Sequence, residues 1–262
     1  MKKILLPLIC ILLLAGNCNA GLIKHLYREE TADGNGHQGV TSDGTYYYAI
    51  DTTIVRKYQI SNFSLISSTS SILTSITGTV NHLGGGTNYN GKLYLSVDQW
   101  SSCGTNSNQR IVVIDTSDMS YVEDFDASAN SNDAIAGVAT DGSILYTISY
   151  CDGTTIWMWD ITDGTALGTI TLSRETTGAQ GIAYNPLFNT FFISEKPSAK
   201  VISQYAYDGT YIGESYTTSD SGDIEGLDYV NGGLVMTFDY GAKEAIQLFN
   251  TVEVIYSGVT VD

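Results

Sequence analysis

Gly39-Val40-Thr41-Ser42-Asp43-Gly44 and Gly137-Val138-Ala139-Thr140-Asp141-Gly142 are two copies of one segment, and the fold follows from them. Each runs from a glycine through small or β-branched residues to an Asp-Gly turn signal. Each then continues into a strand-like run, Tyr46-Tyr47-Tyr48-Ala49-Ile50 and Ile144-Leu145-Tyr146-Thr147-Ile148. Aromatic and β-branched residues suit a half-buried pleated surface. Further out, glycines open similar runs after His82-Leu83, Ala179-Gln180 and Ile224-Glu225. The five glycines, Gly39, Gly84, Gly137, Gly181 and Gly226, are spaced by 45, 53, 44 and 45 residues. A second strand follows each, at 93–97, 191–194 and 234–238 in the other copies. Third strands are clearest at 111–114 and 156–159, and more polar fourth strands close the units, as at 167–172.

Four strands per repeat, with no sustained helical period, predict all-β structure: a five-bladed β-propeller of four-stranded antiparallel blades. A sandwich does not explain the near-constant spacing. The N-terminus does not belong to this pattern. Met1-Lys2-Lys3, an apolar run over 4–14 and Ala15-Gly16-Asn17-Cys18-Asn19-Ala20 have the layout of a secretory signal peptide cut after Ala20. The apolar run is shorter than the ~20 residues that span a bilayer. The expected organisation is a signal peptide over 1–20 and a single propeller domain over 21–262, secreted to the extracellular space or periplasm. The N-terminal residues 22–27 suit an outer strand borrowed by the last blade, and 252–256 suit the same slot. With 12 Lys+Arg against 28 Asp+Glu, the chain carries a formal charge of -16. That balance excludes nucleic acid and, after signal removal, an anionic membrane as partners, since both require a positive surface.

Repeat register carries polar side chains to one rim of the channel. First strands bring His37, Gln38, His82, Asp133, Gln180, Asp223 and Glu225, and second strands end at Asp51, Asp98, Asp152, Glu195 and Asp239. Crowded carboxylates repel unless cations or hydrogen bonds compensate them. Asp98, Glu195, Glu225 and Asp239 are therefore the candidate ligands of a divalent metal, Ca²⁺ above all, because hard oxygen donors suit it. His37, His82 and Glu225 are the candidate catalytic groups, and Gln38, Gln180 and Trp100 the candidate ligand-binding groups. A bound metal polarises an ester, lactone or phosphate ester, so a metal-dependent hydrolase is one expectation. A non-catalytic module gripping a small molecule, glycan, peptide or partner protein at the same face is another. The competing structural role for the aspartates is turn capping. Trp157 and Trp159 alternate on one strand and suit core packing. Cys103 and Cys151 remain after signal removal, in equivalent loops of adjacent blades, and pairing is expected in an oxidising compartment.

Gln38-Gly39-Val40 with Tyr46, Tyr47, Tyr48 and Tyr58, Gln180-Gly181-Ile182, and Asp223-Ile224-Glu225-Gly226-Leu227-Asp228-Tyr229 resemble secreted β-propellers. The kinds in question are quinoprotein-dehydrogenase-like, glutamine-cyclotransferase-like and phytase-like. The cyclotransferase resemblance implies a third expectation, a glutamine-cyclotransferase-like enzyme, with five blades, carboxylates at the channel mouth and a glutamate before the second blade's glycine. This chain has Leu83 there. The phytase-like resemblance implies Ca²⁺ at the rim, near Asp223, Glu225 and Asp239.

Overall fold

A computed structural model describes residues 26–32, 38–130, 133–196, 201–217, 223–239 and 244–250. The signal segment, His25, His37 and residues 252–256 lie outside them. The described residues form five four-stranded antiparallel sheets, each a blade. Blade 1 is β2 (Gly39–Ser42), β3 (Tyr46–Ile50), β4 (Val55–Gln59) and β5 (Leu65–Thr69). Blade 2 is β6 (His82–Tyr89), β7 (Lys92–Gln99), β8 (Ser107–Asp115) and β9 (Tyr121–Asp126). Blade 3 comprises β10 (Ile135–Thr140), β11 (Ile144–Ser149), β12 (Thr155–Asp160) and β13 (Ala166–Thr171). Blade 4 comprises β14 (Ala179–Asn185), β15 (Thr190–Glu195), β16 (Val201–Ala206) and β17 (Tyr211–Thr217). The last sheet takes β18 (Asp223–Val230), β19 (Gly233–Asp239) and β20 (Glu244–Asn250), and its outer edge is β1 (Leu26–Ala32) from the other end of the chain. β1 pairs antiparallel with β20, so the N-terminal strand takes the closing slot and covers an otherwise open edge.

The inner strands β2, β6, β10, β14 and β18 pack successively on one another, and β18 returns to β2. The architecture is a β-propeller. Its core is divided among the five blade-to-blade seams. Tyr48 and Ile50 face blade 2, packing with Leu83, Leu93 and Val112, while Tyr47 and Ala49 of the same strand face blade 5 and Val235. Alternation on β3 thus feeds two seams, and both of its faces are buried. The remaining seams are centred on Tyr94 and Trp159, on Tyr146 and Phe191, and on Phe192 and Phe238. This two-sided burial is why the middle strands read as continuous apolar runs. Trp159 is fully buried and its indole donates to Thr147 Oγ1 at 3.0 Å, as core packing requires.

The two matching sequence segments make one device twice. Asp43 Oδ1 accepts the Thr45 and Tyr46 amides and Oδ2 the Tyr48 hydroxyl at 2.6 Å. Asp141 does the same for Ser143, Ile144 and Tyr146, at 2.7 Å for the hydroxyl. Each turn fastens its hairpin to a tyrosine in the adjoining seam.

The inner strands meet through glycine. A Cβ placed on Gly226 would lie 2.5 Å from Gly39 Cα, and one on Gly39 2.8 Å from Gly85 Cα. Gly85, Gly137 and Gly181 contact the next glycine in turn, which completes the circuit. The second member is Gly85, one residue beyond the Gly84 expected from the repeat. Register between β6 and β7 shifts by one residue between Leu83 and Gly86, which displaces the spacing count. Behind these glycines lies Asp228, wholly buried and hydrogen-bonded by Thr41 at 2.5 Å and Thr87 at 3.1 Å from blades 1 and 2.

Candidate active site at the channel mouth

Four inner strands carry a one-residue register shift just before or at the ring glycine: between Leu83 and Gly86, Ile135 and Gly137, Ala179 and Gly181, and Ile224 and Leu227. Such bulges re-aim a side chain and are common beside active sites. Here they turn the residue preceding the glycine toward the mouth. Those stations read Gln38, Gly84, Ala136, Gln180 and Glu225. Gln38, Ala136, Gln180 and Glu225 line a cavity of ≈ 350 Å³, together with Thr52, His82, Trp100, Tyr150 and Lys196. Every blade contributes to it.

Glu225 is buried, and its Oε2 accepts the Gln180 amide at 2.5 Å. Lys196 Nζ lies 3.9 Å from Glu225 Oε1 and 3.3 Å from Asp223 Oδ2. Burial pulls the Lys196 ammonium down, but the two carboxylates outweigh it and hold the group above the ordinary lysine value. In blade 2, His82 Nδ1 lies 3.4 Å from Asp98 Oδ1 and its Nε2 3.0 Å from Gln38 Oε1. Trp100 stands beside His82 with ring centroids 6.0 Å apart and meets the Tyr150 ring edge-on at 5.7 Å. Asn81 fixes the Trp100 backbone from both sides, accepting its amide at 2.8 Å and donating to its carbonyl at 3.1 Å.

The expected rim set therefore divides. Gln38, His82, Trp100, Gln180 and Glu225 share the cavity, and Asp98 backs it through His82. Glu195 does not belong to it. Its carboxylate is taken by the Arg174 guanidinium, the Ser203 hydroxyl and the Thr177 amide, and Arg174 itself lies over the Tyr211 ring. Asp51 and Asp152 accept the amides of Thr52 and Thr154 in their turns, the capping role. The β10–β11 register places Ser149, rather than Asp152, at the second-strand end of blade 3. There its hydroxyl accepts the amides of Cys151 and Asp152. His37 and the side chain of Asp239 lie outside the described residues.

The metal expectation meets a poor donor set. Asp98 is engaged by His82, Glu195 by Arg174, and Glu225 by Gln180 and Lys196. No three His, Cys, Asp or Glu side chains among the described residues come together as ligands. Among the described residues, Asp98, Glu195 and Glu225 do not make the six-to-eight-oxygen set that a Ca²⁺ ion takes.

Lys196, Tyr150 and Thr52 were not singled out by the repeat pattern. Each follows a second-strand end by one residue, at Glu195, Ser149 and Asp51, so reading the repeat one position further finds them. Cys103 and Cys151 form a disulfide with Cα atoms 5.5 Å apart. It links the loops that carry Trp100 and Tyr150. Closing a 48-residue separation restricts the unfolded chain by about 4 kcal/mol in the chain-entropy model. The Cys103→Ser, Cys151→Ser double variant is expected to lose about 2–4 kcal/mol, measured as a lower urea midpoint. A midpoint equal to the parent's contradicts this.

Comparison with known structures bears on the fold. The glutaminyl cyclase of Myxococcus xanthus superposes with a TM-score of 0.64 at 11% identity, covering 87% of this chain and 97% of that one. The two chains share the β-propeller fold. Hydrazine synthase of Kuenenia stuttgartiensis aligns with a TM-score of 0.48 at 13% identity, over 80% of this chain and 57% of that one. No family model and no curated relative matches the sequence. Among the described residues no helix is long and apolar enough to cross a membrane.

Proposed function

We propose that this protein is a secreted, five-bladed propeller enzyme of the glutamine-cyclotransferase kind, closing an N-terminal glutaminyl residue on itself with release of ammonia. The observation that carries this is Glu225, a buried carboxylate at the cavity mouth held by Gln180 and faced by Lys196. Cyclisation forms a bond from the α-amine nitrogen to the side-chain carboxamide carbon and breaks that carbon's bond to the amide nitrogen. The amine loses a proton and the departing nitrogen gains one, so the reaction needs a positioned base and acid, with no oxidant or co-substrate. Glu225 is the base, and Gln38 and Gln180 offer complementary amides to the substrate carboxamide. The fold similarity to a glutaminyl cyclase and the carboxylate at the mouth support this reading. The disulfide supports export. A metal-dependent hydrolase has no donor set among the described residues to support it.

The test is ammonia release from glutaminyl peptides, with the cyclised product identified by mass. Glu225→Gln is expected to lower turnover by about 100-fold or more with the fold retained. No turnover by the parent protein, or full turnover by Glu225→Gln, defeats the reading. The edge-on pair of Trp100 and Tyr150 favours a second reading, a non-catalytic module that holds a glycan or peptide end against an aromatic wall. Ligand binding without turnover, lost on Trp100→Ala, supports it.

A further inference from the structure

Asp98 is wholly buried, and neither of its carboxylate oxygens makes a hydrogen bond among the described residues. His82 Nδ1 is in the same condition. The two face each other at 3.4 Å, and Asp98 has no other ionic partner among the described residues. An isolated buried carboxylate is strongly unfavourable unless a neighbour supplies a proton or positive charge. Among the described residues the group facing it is His82 Nδ1. The opposite ring nitrogen stands at the cavity, 3.0 Å from Gln38 Oε1, which can accept a proton from it. Each ring nitrogen thus has an oxygen opposite it, Asp98 Oδ1 at Nδ1 and Gln38 Oε1 at Nε2.

Blade 2 also lacks the polar side chain that blades 1, 4 and 5 bring as Gln38, Gln180 and Glu225. Its station before the ring glycine is Gly84, where a Cβ would lie 2.4 Å from Ser96 Oγ and 2.7 Å from the Ala136 carbonyl oxygen. No side chain fits there, so the chemistry of that blade must come from its strand ends, where His82 pairs with Asp98.

We propose that Asp98 fixes a proton on His82 Nδ1 and that His82 Nε2 is the proton donor of the cavity. Its use in turnover rests on the cyclotransferase reading. As the α-amine attacks, Glu225 takes its proton and His82 Nε2 delivers one to the departing nitrogen, which leaves as ammonia. Water at the mouth returns the proton from Glu225 to His82. His82 is then a catalytic residue and Asp98 a positioning residue acting through it.

The chain has three histidines, so the imidazole nitrogens are resolvable by ¹H–¹⁵N correlation spectra. A proton on His82 Nδ1 in the parent protein, lost in Asp98→Asn, is the expected result. Kinetically, His82→Gln and Asp98→Asn should each lower kcat by about 100-fold with little change in KM, since a general acid acts in the transition state. The double variant should be no worse than His82→Gln, because Asp98 has nothing left to position. His82 is partly exposed, so its variant tests the idea even if Asp98→Asn misfolds. A bare Nδ1 in the parent overturns the pairing. Parental kcat in His82→Gln, with Glu225→Gln inactive, overturns the donor role and leaves the cyclotransferase reading standing. If no glutaminyl substrate turns over, that reading and the donor role fall together, and the state of Nδ1 decides the pairing.

Discussion

Alanine in place of Gly226 should destabilise the protein by about 3–5 kcal/mol, while Gly85→Ala should cost less than about 1 kcal/mol. Both glycines belong to the circuit where inner strands touch, but their surroundings differ. At position 226 the new methyl would lie 2.5 Å from Gly39 Cα and 2.6 Å from the Gln38 carbonyl oxygen. Both are backbone atoms of another blade, and neither can rotate away. The seam between blades 5 and 1 must open, which separates Val40, Tyr47 and Ala49 from Val235. At position 85 the nearest atoms are the Ala136 carbonyl oxygen at 3.3 Å and Gly137 Cα at 3.5 Å. That is tight contact, met by a small shift. Urea denaturation of the two variants side by side checks the contrast. Equal midpoints would show that the glycines are not limited by packing.

Asp228→Asn should change how stability depends on pH. Burial pushes the Asp228 carboxyl up from the ordinary 3.8 to about 7, against the opposing hydrogen bonds from Thr41, the Tyr229 amide and Thr87. Between those values the folded protein keeps a proton that the unfolded chain has released. Its stabilising contribution is therefore complete below about pH 4, falls as pH rises, and is gone above about pH 7. The loss is on the order of 4 kcal/mol across the window, at 1.36 kcal/mol per pH unit. Asparagine preserves the shape without a charge to bury. The variant should match its parent near pH 4 and exceed it by about that amount near pH 8. Unfolding free energies at both pH values test this, and parallel profiles for the two proteins would refute it.

The repeat made the blades legible because every inner strand must bring a glycine to the same crowded place. The period is thus set by backbone contact and survives changes in other residues. The position of the second glycine was harder to read. A bulge adds a residue without leaving a mark in composition, so Gly84 and Gly85 are indistinguishable until β6 is paired with β7. Gln38, Gln180 and Glu225 were readable because they directly precede a ring glycine. Glu195 was misplaced for a different reason. Its partner Arg174 comes from the connection between β13 and β14, outside the repeated positions, and a repeat alignment does not see it. The disulfide was readable from loop equivalence together with the export signal and the two cysteines left after it.

The closed circuit of glycines also sets the traffic through the cavity. Backbone meets backbone around the axis, and the Asp228 cluster lies behind it, so among the described residues the hollow at the mouth has no rear exit for a peptide or sugar. Whatever is bound leaves by the door it came through, past Trp100, Tyr150 and the loops tied by Cys103 and Cys151. Incoming and outgoing molecules then occupy the same space in turn and exclude each other. On the cyclotransferase reading, accumulated product should compete with fresh substrate, raising its apparent KM without altering the maximal rate.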